Sequence, residues 1–103
     1  MDAQGLQYVF TTQASSDSAY KPFVVPGATD IQFRARYVAI SQVDTTTVMP
    51  VYINLMTTTA TTGDWQVLAG STETVFVSRG GFNGISYCSI ATTVPKFRVV
   101  AIR

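Results

Sequence analysis

The clearest pattern in the chain is the run Ile31-Gln32-Phe33-Arg34-Ala35-Arg36-Tyr37-Val38-Ala39-Ile40. Apolar and polar side chains alternate strictly from Ile31 to Tyr37, which is typical of a β-strand with one buried face. The alternation predicts that Phe33 and Tyr37 point into a core. It also places Arg34 and Arg36 on the opposite face, toward solvent or a partner.

The same alternation recurs along the chain, separated by turn residues such as Pro26-Gly27, which suit a type II turn. Eight short segments fit a strand: Leu6–Phe10, Ala19–Val25, Ile31–Tyr37, Val51–Met56, Trp65–Val67, Val75–Val77, Ile85–Tyr87 and Phe97–Ile102. Their spacing predicts an all-β fold, a single antiparallel β-sandwich that is Ig-like or jelly-roll-like. Residues 1–103 then form one domain with 1–5 as a flexible N-terminus. The expected core is Phe33, Tyr37, Ile53, Leu55, Trp65, Val75 and Phe97.

Composition supports strands and argues against several classes of function. Val, Ile and Thr make up 34 of the 103 residues, and these β-branched side chains favour a pleated surface over a helix. The chain has no His and a single Cys, so we expect no enzyme, no metal site and no cofactor. A net charge of +1 predicts no nucleic-acid partner, and the short apolar runs predict no membrane span.

The balance of charged and apolar residues is unusual for a monomer. Only 13% of the residues are charged while 47% are hydrophobic, and apolar side chains fill both faces of several predicted strands. One core of this size cannot hold them all, so we expect a homo-oligomer, a trimer first and a dimer second. The candidate interface residues are Arg34, Arg36, Val38, Ile40, Val100 and Ile102.

Two further features leave alternatives open. Tyr52 and Trp65 form a candidate platform for stacking a sugar ring, although a lone Trp in a small sandwich is more often a core anchor. Threonines cluster at 45–47 and 57–62, which indicates either solvated connections or a glycosylated or partner-contacting tip.

Several motifs resemble small virion proteins of tailed bacteriophages. They are the segment Val24–Arg36 with its Pro-Gly-Ala opening, then Val51-Tyr52-Ile53, the Trp-bearing strand with its Ala-Gly-Ser turn in Trp65–Glu73, and the final strand Phe97–Ile102. The resemblance covers residues 22–103.

This resemblance implies a β-sandwich structural protein of the virion, most readily a capsid decoration (cement) protein that binds the major capsid protein. The alternative is a carbohydrate- or receptor-binding module of a phage fibre or tail component. No catalytic residues come with the family. The first five residues have no signal-peptide pattern, so we expect assembly in the host cytoplasm and residence in the virion.

Overall fold

The structure is a computed structural model that describes residues 6–43, 49–68, 73–90 and 93–103. The described chain contains strands and no helix. The eight strands are β1 Gln7–Gln13, β2 Ala19–Pro22, β3 Ala35–Gln42, β4 Val51–Asn54, β5 Trp65–Val67, β6 Thr74–Phe82, β7 Gly84–Ser89 and β8 Lys96–Ile102. The expected N-terminal segment 1–5, the Thr cluster 45–47 and the Ala69-Gly70-Ser71 turn lie outside the described residues.

The strands form two antiparallel sheets packed as a β-sandwich, which confirms the predicted fold class. Sheet A has the order β1-β8-β3-β6, and sheet B has the order β2-β7-β4-β5. One long hairpin that turns between β4 and β5 and is then rolled up produces four strand pairs: β1/β8, β2/β7, β3/β6 and β4/β5. This is the jelly-roll arrangement, whereas an Ig-like sandwich pairs its first two strands directly.

The core lies between the inner faces of the two sheets. Phe97 and Ile53 are almost fully buried and Phe33 is 8% exposed, so three expected core residues are confirmed. Leu55 is half-buried against the same cluster. The Tyr87 and Phe97 rings meet edge-on, with centroids 5.0 Å apart, and this contact joins β7 of sheet B to β8 of sheet A.

The third strand begins later than predicted and changes phase near its start. Its pairing with β6 shifts register between Ala35 and Tyr37, so both Arg36 and Tyr37 are exposed. Beyond this irregularity Val38 and Ile40 point inward and are fully buried. The expectations that Tyr37 lies in the core and that Val38 and Ile40 lie at an interface are therefore wrong, because an irregularity of this kind reverses the face of every later residue.

Two other expected core residues are exposed. Val75 is 55% exposed, because β6 turns Phe76 inward instead and places Val75 opposite Ala39 on the outer face. Trp65 is 59% exposed although it pairs with the buried Ile53. It belongs to β5, an edge strand, where a side chain that starts on the inner face can lean out of the sandwich.

The turn predicted at Pro26-Gly27 is confirmed. The amide of Ala28 donates to the carbonyl of Val25 over 2.9 Å, and Gly27 has φ of 86°, as the third residue of a type II turn requires. This turn lets the chain double back, so that the amide of Phe33 donates to the carbonyl of Phe23 over 3.0 Å before β3 begins.

Candidate functional site

The centre of the outer face of sheet B, at β7, is covered by the protein's own chain. Ser86 and Cys88 alternate with the core residues Ile85 and Tyr87, so they point away from the core, yet both are buried. The hydroxyl of Ser86 lies 3.0 Å from the carbonyl oxygens of Asn54 and Thr57. The connection between β4 and β5 therefore folds back over this face.

Side-chain hydrogen bonds hold that connection in place. The amide oxygen of Asn54 accepts from the backbone N–H groups of Met56 and Thr57 at 2.8 and 3.0 Å. Its Nδ2 donates to Oδ1 of Asp64 at 3.1 Å, and Oδ2 of Asp64 accepts from the amide of Thr61 at 2.8 Å. Asp64 thus takes a structural role in the loop. The threonine side chains at 57–59, 61 and 62 face outward and are exposed.

The outer face of sheet A presents apolar side chains that are exposed or half-buried in the part of the chain that the structure describes. Cross-strand pairing aligns Val9, Val100, Ala39 and Val75 in one row across all four strands. The adjacent row is Gln7, Ile102, Tyr37 and Val77, so it begins with one polar side chain. Directly paired residues lie on the same face, so these side chains form one surface, here called the outer apolar face. It consists of Val9, Tyr37, Ala39, Val75, Val77, Val100 and Ile102.

The exposure of this surface sets it apart from scattered apolar residues. Val9 and Tyr37 are 46% and 47% exposed, and Val75 and Val77 are 55% and 66% exposed. Together the seven side chains form one contiguous patch, and the largest apolar patch of a monomer, on the order of 300–600 Å², is often functional. Thr11, Arg98 and Ser41 continue the same face as a polar end.

The structure separates the six candidate interface residues. Val100 and Ile102 belong to the outer apolar face, whereas Val38 and Ile40 are core residues. Arg34 precedes β3, and its Nη1 donates to the carbonyl of Gly80 at 3.0 Å, so its side chain fastens β6 to this segment. Arg36 is exposed at the start of β3.

Sequence periodicity missed Tyr37, Val75 and Val77 as surface residues. All three belong to runs in which both alternating sets are apolar, Tyr37-Val38-Ala39-Ile40 and Val75-Phe76-Val77. The only signal for a bare face was the excess of apolar residues over what one core can hold.

A second surface feature lies on the open side of the sandwich, between β5 and β6. An open pocket of about 250 Å³ is lined by Ile53, Asn54, Leu55, Met56, Asp64, Trp65, Phe76 and Phe82. The Trp65 ring stands edge-on to Phe76, with centroids 5.8 Å apart and an interplanar angle of 85°. Tyr52 pairs with Gln66 on the other face of sheet B, so Tyr52 and Trp65 do not form one platform.

Two observations concern metal binding and nucleophilic chemistry. In the part of the chain that the structure describes, no three His, Cys, Asp or Glu side chains are grouped so that they could hold a metal ion. The free thiol of Cys88 is buried, and burial followed by the charge of Asp64 raises its pKa above the usual 9.0. It is therefore protonated at neutral pH, which is the opposite of an activated nucleophile.

Comparison with protein families, with curated proteins and with solved structures finds no match for this chain. Among the described residues there is also no helix with the length and apolar character needed to cross a membrane. A proposal about the function of this protein therefore rests on the fold and on the two surfaces described above.

Proposed function

We propose that this chain is a non-enzymatic structural protein that works by binding another protein through its outer apolar face. One observation carries the proposal: the chain covers the centre of the outer face of sheet B with its own loop but leaves an apolar face of sheet A open. Apolar surface of this kind is stabilised when a partner removes it from water. An open sheet face suits a protein partner better than a small ligand, since small molecules are held in concave sites.

We further propose that the partner is the major capsid protein of a tailed bacteriophage, so that the chain acts as a capsid decoration protein. The motif resemblance described above supports this partner. Jelly rolls serve in viral capsid proteins and also in lectins, so the fold is compatible with the proposal without selecting it. Assembly then takes place in the host cytoplasm, the protein resides in the virion, and neither nucleic acid nor a membrane is a partner.

The test compares two exposed valines. Val77→Asp places a charge in the outer apolar face, and Val94→Asp places the same charge in the segment before β8, beyond the polar end that Thr11, Arg98 and Ser41 form. Burying a Val side chain contributes ~1.5–3 kcal/mol, so Val77→Asp should weaken binding by about 10- to 100-fold. Binding is measured by co-sedimentation with capsids that lack this protein and come from the phage that encodes it.

Two outcomes would contradict the proposal. If wild type does not bind the capsids, the capsid partner is wrong. If both variants bind as well as wild type, the outer apolar face is not the contact. Val94→Asp should bind like wild type, and circular dichroism should show the same strand content for all three proteins.

A second candidate function is carbohydrate binding at the Trp65 pocket, the alternative expected from the sequence. The observation that favours it is the half-exposed ring of Trp65, held edge-on by Phe76 beside the carboxylate of Asp64. Aromatic rings in this setting can stack on a sugar face. Trp65 is the only Trp, so its fluorescence reports the site directly. Saturable quenching by soluble mono- and oligosaccharides, lost in Trp65→Ala, would favour this function over the capsid one.

A further inference from the structure

The two sheets have four edge strands, and three of them carry features that discourage pairing with another chain. β2 contains Lys21 and Pro22, and β5 has only three residues. β6 contains Arg79 and two consecutive glycines, and its register with β3 is irregular. Charges, Pro, short length and irregularities are the usual protections of sheet edges.

The fourth edge strand, β1, has none of these protections. Its seven residues Gln-Tyr-Val-Phe-Thr-Thr-Gln include no charge, no Pro and no Gly, and its pairing with β8 is regular throughout. Within the described residues, β8 is the only strand that pairs with β1. Such a strand is a ready template for one more strand.

Two hydrogen bonds establish which backbone groups of β1 are available. The amide of Arg103 donates to the carbonyl of Leu6 at 3.1 Å, and the amide of Ala14 donates to the carbonyl of Pro95 at 2.9 Å. Both pairs continue the β1–β8 register, and hydrogen-bonded pairs alternate with non-bonded pairs in antiparallel sheets. The even-numbered residues of β1 therefore bond to β8. The odd-numbered residues direct their N–H and C=O groups away from it, toward the free edge: Gln7, Val9, Thr11 and Gln13.

We propose that β1 pairs with β1 of a second copy of this chain, antiparallel and around a twofold axis at Phe10. This register places Gln7 opposite Gln13 of the second copy and Val9 opposite Thr11 of the second copy. Every such pair joins two odd-numbered residues, so their available backbone groups meet in about eight hydrogen bonds. The two copies of sheet A become one continuous eight-stranded sheet.

A second copy fits this edge for reasons visible in the strand itself. The free groups of both copies lie on odd-numbered residues, so the hydrogen-bond phase matches without any shift. No charged side chain of β1 faces a like charge, since β1 has none. On the inner face the two Phe10 rings become neighbours, and on the outer face the row that begins with Val9 continues to Thr11 of the second copy.

One charge lies near the proposed axis. The Nζ of Lys21 lies 5.4 Å from the centre of the Phe10 ring, so the dimer brings two lysines toward each other. Salt screens such a pair, with a Debye length of ~8 Å at physiological ionic strength, so the oligomeric state is best measured under that condition. The pairing is isologous and closes as a dimer, which was the second of the two states expected from the sequence.

The test uses two variants of Thr11, whose side chain is exposed and whose amide points to the free edge. Thr11→Pro removes that amide, and Pro is tolerated in an edge strand when its N–H would face outward. Thr11→Lys adds a charge to the edge and leaves the backbone unchanged. Sedimentation equilibrium should give wild type at twice the 11.2 kDa chain mass. Both variants should dissociate at least tenfold more readily, with an unchanged circular dichroism spectrum.

Hydrogen exchange adds a residue-level readout. The amides of Val9 and Thr11 should be protected in wild type and lose protection on dilution, because only the second copy bonds to them. The inference is overturned if wild type is monomeric at ~100 µM, far above the range of a specific dimer. It is also overturned if wild type is a trimer, or if both Thr11 variants dimerise normally. Val77→Asp should dimerise like wild type, so failure of the capsid proposal and failure of this one remain distinguishable.

Discussion

Replacing Gly84 with alanine tests how closely β2 and β7 approach each other. Gly84 opens β7 opposite Pro22 of β2, and the ring of Tyr20 lies across it. A Cβ added at Gly84 would come within 2.5 Å of the Tyr20 hydroxyl oxygen and 2.6 Å of the Lys21 carbonyl oxygen. The Tyr20 side chain can rotate away, but the Lys21 carbonyl belongs to the paired strand and cannot move without disturbing the ladder.

The expected cost follows from two opposing effects. Overpacking of this kind costs about 1–3 kcal/mol, and here the contact involves backbone. Replacing Gly by Ala also removes freedom from the unfolded chain, which stabilises the fold by about 0.4–1 kcal/mol. The net loss is therefore roughly 1–2 kcal/mol. In a domain of about 100 residues each kcal/mol shifts Tm by about 4–8 °C, so Tm should fall by about 10 °C.

Gly80 provides the matched control for this substitution. It also lies in a strand, two residues before the end of β6, but a Cβ there would meet no atom within 4 Å, and its φ is not positive. Gly80→Ala should leave Tm unchanged or raise it slightly. Thermal unfolding followed by circular dichroism measures both variants. If Gly84→Ala unfolds at the same temperature as Gly80→Ala, β2 does not lie against Gly84 as described and the reasoning is refuted.

Two further predictions concern buried polar groups. Nε2 of Gln42 donates to the carbonyls of Met49 and Val67 at 2.6 and 2.8 Å, so Gln42→Ala should lower the free energy of unfolding by about 2 kcal/mol. Exposed Gln66→Ala should change it by under about 0.5 kcal/mol in the same urea titration. Because the pKa of Cys88 is raised in the folded protein, the unfolded chain ionises this thiol at a lower pH than the folded chain does. The stability that the protonated thiol contributes is therefore complete below the ordinary pKa of 9.0 and falls as the pH rises above it. Between about pH 8 and about pH 10, wild type should lose more stability than Cys88→Ala.

The number and approximate location of the strands were predictable from local sequence. Eight segments were expected and the described residues contain eight strands, because alternation and turn residues act over a few neighbouring residues. The turn at Pro26-Gly27 is the clearest case. Its geometry depends on the fixed φ of Pro and the positive φ open to Gly, and both are properties of the residues themselves.

Which side chains of a strand are buried was harder to predict where the residues of both faces are apolar. In Val75-Phe76-Val77 either phase buries apolar side chains, and only the pairing of β6 with β3 selects Phe76. In β3 the irregularity after Ala35 depends on a partner about 40 residues away, so no local pattern announces it. Because of this one irregularity, Tyr37 lies at the surface and Val38 and Ile40 lie in the core.

Whether a strand lies at the edge or the centre of its sheet could not be predicted from local sequence either, because it depends on partners far away along the chain. Trp65 starts on the inner face, as its pairing with Ile53 requires, yet its ring is half-exposed because β5 is an edge strand. Edge or centre is decided by the jelly-roll order of strands far apart in sequence. The candidate glycan platform is wrong for a different reason. Tyr52 and Trp65 lie on neighbouring strands but on opposite faces of sheet B.

The two proposed contacts of sheet A share Val9 and point in perpendicular directions there. At Val9 the backbone N–H and C=O groups point within the plane of the sheet, toward a second copy, while the side chain points out of that plane, toward a capsid surface. Pairing through β1 therefore leaves the outer apolar face open and places two copies of it side by side on one continuous sheet. A partner array with matching spacing would bind both copies at once, and such bivalent binding strengthens attachment by about 10²–10⁴-fold without any new contact. Thr11 lies beside the outer apolar face, so the variant that tests bivalence is Thr11→Pro, which should weaken capsid attachment without adding a charge to that surface. Val77→Asp should weaken attachment with the dimer intact.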